Sequence, residues 1–68
     1  MANPSLAAQI AHRAAELMEQ RGWDLEFAVW KAANAIVVNI SKLADALVED
    51  IDPSRTAAEV IAALKAVR

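Results

Sequence analysis

The chain has 68 residues, 57% of them hydrophobic, with a formal net charge of −2 and a pI near 5.2. That length holds a single domain over 1–68, and the absence of cysteine excludes disulfides and thiolate metal sites as reinforcement. The acidic balance argues against nucleic-acid binding through one basic face. The uncharged central run, Ala32 to Ser41, is too short for the roughly 20 apolar residues of a membrane span.

Seventeen residues are alanine, against one glycine and two prolines, so strong helix formers dominate and turns are few. An all-α fold follows. The opening MANPSLAAQIAHR has no basic n-region and spaces its apolar residues, which points to a cytoplasmic protein rather than a secreted one. Asn3-Pro4 reads as an N-cap with proline at the first helical position, predicting a helix over about 4–21. Leu6, Ile10, Leu17 and Met18, with Ala7, Ala11 and Ala14, share an arc of about 140°. His12, Glu16 and Glu19 lie on the outward side. Their spacings of four and three would suit metal ligation across a dimer axis, but ordinary solvated positions explain them as well, and no metal or cofactor is expected. Gly22, the single glycine, is placed for a left-handed C-cap, and Trp23 can fold over the corner behind it.

The next segment predicts one long helix over about 24–50. Its centre, AIVVNI, is rich in β-branched residues, but the flanks carry a helical repeat through it and no second strand is available for pairing. Leu25, Val29, Ala32, Ile36, Ile40, Leu43 and Leu47 form a continuous core stripe. A second stripe, rotated by about 90°, contains Trp30, Val37, Ala44 and Val48, the first three repeating every seven residues. Phe27 and Val38 stand further round, beside Asn34, an asparagine placed to set register if that face is buried. Fully burying Phe27, Trp30, Val37, Val38 and Val48 is worth on the order of 10 kcal/mol, as much as the whole stability of a typical domain.

Asp52-Pro53 predicts a last helix over about 53–67, and Thr56-Ala57-Ala58-Glu59 offers a rival start with capping-box spacing. Ala57, Val60, Ile61, Leu64 and Val67 gather on one face. The acidic run before it fails as a calcium loop, because positions six and twelve from Asp50 hold Arg55 and Ile61. Neither a nucleophile–base pair nor a glycine-rich phosphate loop is visible.

The sequence therefore predicts a three-helix domain with a long central helix, assembling as a helical-bundle homodimer. Its expected role is a non-enzymatic protein–protein interaction module: an adaptor, small regulator or inhibitor of a larger protein, of the kind phages and mobile elements encode. The expected interface is Phe27, Trp30, Asn34, Val37, Val38, Ala44 and Val48. The alternative is a DNA-binding regulator or antitoxin of helix-turn-helix type, using Arg55, Lys65 and Arg68.

Overall fold

Three helix starts are set by a side chain that accepts a hydrogen bond from an otherwise orphaned backbone N–H. The computed structural model describes residues 5–36, 41–51 and 54–68. Among these the chain forms α1 (Leu6–Arg21), α2 (Leu25–Ile36), α3 (Ser41–Asp50) and α4 (Ala57–Ala66), with no strand. Ser5 Oγ accepts from the Ala8 N–H at 3.0 Å, and Asp24 Oδ1 accepts from the Phe27 N–H at 2.8 Å. At the start of α4, Thr56 Oγ1 accepts from the Glu59 N–H at 3.3 Å and donates to Glu59 Oε1 at 3.0 Å. The cap of α1 is thus Ser5 rather than Asn3, which lies with Pro4 outside the described residues. Of the two starts open to the last helix, Thr56 is the one used, while Asp52 and Pro53 are also outside the described residues. Gly22 closes α1 at φ 69°, its N–H reaching the Met18 carbonyl.

The main departure from the sequence expectation is the segment 24–50, which contains two helices rather than one. A straight helix of that length would measure about 40 Å, longer than the 29 Å greatest extent of the molecule. Instead α3 packs against both α1 and α2. The physical gain is a shared core: Ala44, Leu47 and Ile51 join the buried cluster formed by Ile10, Leu17, Leu25, Val29 and Leu64. Two short covering helices could not have sheltered a 40 Å rod with two apolar stripes. Val37, Val38, Asn39 and Ile40 lie outside the described residues.

Alanine dominates this core. Ala8, Ala11, Ala14, Ala15, Ala28, Ala32, Ala33 and Ala44 are fully buried, and the largest fully buried side chains are Ile10, Leu64 and Val29. Small side chains let helix axes approach toward the lower end of the 8–10 Å range, but each contributes little burial. Leu6, expected on the inner face, is 45% exposed at the start of α1. The end of α4 is tied to α1 by polar contacts. His12 Nε2 donates to the Val67 carbonyl and Ser5 Oγ to that of Arg68, both at 2.9 Å, and Lys65 pairs with Glu19. The radius of gyration is 10.8 Å, matching the roughly 10.9 Å expected of a compact domain of this length.

With so few large core residues, single truncations weigh heavily. Leu64→Ala should cost about 2–5 kcal/mol, comparable with the 3–5 kcal/mol that a core of this size supplies. Gly22→Ala meets no steric clash, so it should cost only the left-handed backbone penalty of about 1–2 kcal/mol. Urea denaturation followed by helical circular dichroism measures both, and the order Leu64→Ala above Gly22→Ala is the expected result.

Candidate interaction surface

Helix α2 buries Leu25, Ala28, Val29, Ala32 and Ala33 against the rest of the chain. The helical repeat then turns Phe27, Lys31 and Asn34 outward, and all three are exposed, Phe27 by 45%. Trp30 is half-buried, with part of its ring against the core edge. Trp23 precedes the capping Asp24, and its ring meets Phe27 edge-on, with centroids 4.8 Å apart and planes at 87°. Such an aromatic contact across the first turn fixes the angle at which the chain enters α2.

Two cations complete the row. The Arg21 guanidinium sits 5.3 Å from the Trp23 ring centroid, and the Lys31 ammonium sits 5.3 Å from that of Phe27. Each exposed cation–π contact is worth about 0.5–1 kcal/mol. They orient the rings at the surface without removing them from it. The order Arg21, Trp23, Phe27, Lys31 is therefore a preformed surface feature.

Clefts open on this row. One of about 580 Å³ is lined by Met18, Trp23, Leu25, Val48, Arg55 and Val60 among others, between the end of α1 and the starts of α2 and α4. A smaller one of about 310 Å³ lies against Asp24, Glu26, Phe27 and Trp30. Small-molecule sites carry a few buried polar groups that fix the orientation of the ligand. Among the described residues no polar or charged side chain is buried, and the charged groups here, Asp24, Glu26 and Arg55, are all exposed. The clefts are apolar floors with a charged rim.

Of the residues singled out from sequence, Phe27, Trp30 and Asn34 share the outer side of α2. Val37 and Val38 lie outside the described residues. Ala44 is fully buried in the chain's own core, and Val48 is half-buried against it while lining the larger cleft. The seven-residue repeat linking Trp30 to Ala44 presupposed one unbroken helix. Once α3 packs separately on α1 and α2, that phase no longer holds and Ala44 faces inward. Trp23, placed at the corner behind Gly22 as its position suggested, is half-buried against the core and also meets Phe27 at the surface. The signals for it were its four-residue spacing from Phe27 and the cap at Asp24. The outward set on α1 is engaged elsewhere: His12 with Val67, Glu16 with Arg13 at 2.8 Å, and Glu19 with Lys65. Among the described residues no group of three or more His, Cys, Asp or Glu could hold a metal ion. The chain matches no family model, no curated protein and no solved structure.

Because Phe27 adds little to the core, Phe27→Asp should leave the protein folded, at a cost of about 1–2 kcal/mol from the lost ring contacts. Val29→Asp, one helix face away, places a charge where the wild-type side chain is fully buried and should abolish cooperative folding. Circular dichroism with a thermal melt distinguishes them.

Proposed function

We propose that this protein is a non-enzymatic protein–protein interaction module, an adaptor, small regulator or inhibitor in kind, whose contact surface is the outward side of α2 and which associates with itself through that surface. One observation carries this reading. The chain has three aromatic residues, Trp23, Phe27 and Trp30, and all three lie in one surface row. None is fully buried, although the core is otherwise short of large side chains. Burying any of them would stabilise the monomer more than another alanine does, since aromatic rings bring the largest apolar area. Tryptophan near the centre of a contact patch is also the side chain most often responsible for affinity. The surface is best explained as one kept for another polypeptide.

Sedimentation velocity tests it. The wild type should pass from monomer toward dimer as concentration rises, and Phe27→Asp should stay monomeric while keeping its helical spectrum. A wild type monomeric at every concentration, or a Phe27→Asp variant that dimerises equally well, would contradict self-association through this face.

A further inference from the structure

We infer that α3 is a lid, which lifts from α1 and α2 and unwinds as a unit while α1, α2 and α4 stay folded, widening the larger cleft that its own Val48 helps to line. This is independent of the aromatic row on α2 and of what that row contacts.

The charges of α3 supply the first argument. A helix carries partial positive charge at its N-terminal end and partial negative charge at its C-terminal end, so acidic side chains stabilise the first turn and basic ones the last. The other three helices conform at one end or both: Arg21 closes α1, Glu26 opens α2, and Glu59 and Lys65 open and close α4. In α3 the first turn has no acidic residue and the last has no basic one. Lys42 stands at its start, and Glu49 and Asp50 end it. Asp45 and Glu49 are also four residues apart, where like charges repel along one helix face. Among the described residues the ion pairs lie within α1 and between α1 and α4, and none relieves this arrangement.

Packing is what holds α3 down, and there is little of it. Among the described residues of this ten-residue helix only Ala44 and Leu47 are buried, with Leu43 and Val48 partly covered against the core. The helices it would leave behind keep Ile10, Leu17, Leu25, Val29, Val60 and Leu64 together. Their polar ties, Ser5 to Arg68, His12 to Val67 and Glu19 to Lys65, run between α1 and the end of α4 and do not involve α3. An element with few buried contacts opens at lower cost than the whole molecule. A helix this short does not persist in water once undocked, so lifting and unwinding are one event. Val48 then leaves the cleft, and the floor of Met18, Trp23, Leu25 and Val60 is open on that side.

Amide hydrogen exchange followed by nuclear magnetic resonance reads this directly. Corrected for intrinsic rates, the α3 amides of Ala46, Leu47 and Val48 should exchange together, at least about tenfold faster than the core amides of Ala14, Val29 and Leu64. The variant E49Q/D50N removes two adverse charges, each worth about a two- to fivefold shift in the opening equilibrium, and should slow the α3 amides at least about fourfold. Ser5→Ala removes a cap whose partners, Ala8 and Arg68, are not on α3. It should speed the core amides about fivefold yet leave those of α3 within about twofold, because the cap is made whether α3 is docked or lifted. If α3 exchanges at the core rate, or is accelerated by Ser5→Ala as much as the core is, the molecule opens as one body and there is no lid. Rates that climb steadily toward the ends of α3 mean fraying, and also overturn the proposal. So does an E49Q/D50N variant whose α3 amides exchange as fast as those of the wild type.

Discussion

An alanine core is the constraint from which the other features of this fold follow. Eight fully buried alanines separate the helices, and each methyl group withdrawn from water is worth only about 0.8 kcal/mol. What alanine provides is closeness: backbones approach until the few larger side chains, Ile10, Val29 and Leu64 above all, are enclosed on every side. A chain of this size has no other reserve, lacking disulfides and, among the described residues, any buried polar group. Pooling the apolar residues is therefore essential, and α3, lying back on α1 and α2, contributes Ala44 and Leu47, with Ile51 following directly after it. The contacts of Ser5 and His12 with the last two carbonyls keep α4 over the same core.

Against that economy, the placement of the aromatic rings is informative. Trp23, Phe27 and Trp30 hold more apolar area than several buried alanines together, and they sit around the first turns of α2 at the surface. Arg21, Lys31 and the edge-on ring contact orient two of them, Trp23 and Phe27. A rigid aromatic row loses little side-chain freedom on binding, which is the usual condition for an effective contact anchor.

Much of this was legible in the sequence, and the failures share a cause. The outer face carrying Phe27, Trp30 and Asn34 could be projected because it lies within one unbroken helix. Gly22 and the capping box at Thr56 announced themselves through residue type and spacing. Ala44 was misplaced because its phase was carried through residues 37–40, where AIVVNI offers neither glycine nor proline to mark an end to the repeat. The division of 24–50 shows only at the tertiary level, where a straight helix of about 40 Å would exceed the 29 Å greatest extent of the molecule. Trp23 packs partly against the core, as its place at the corner suggested, while its edge-on contact with Phe27 depends on tertiary position. Leu6 has the right period yet lies at the start of its helix, at the edge of what the core covers.

The most direct test of the α2 surface follows the two indole N–H resonances, distinguishable because the chain has only Trp23 and Trp30, as a labelled sample is diluted in nuclear magnetic resonance. Association through this face predicts that both indoles and the amides of Glu26, Lys31 and Asn34 shift together along one concentration curve, while outward α1 amides such as Arg13 and Gln20 stay still. Shifts independent of concentration, or a concentration-dependent set confined to α1 and α4, would contradict it.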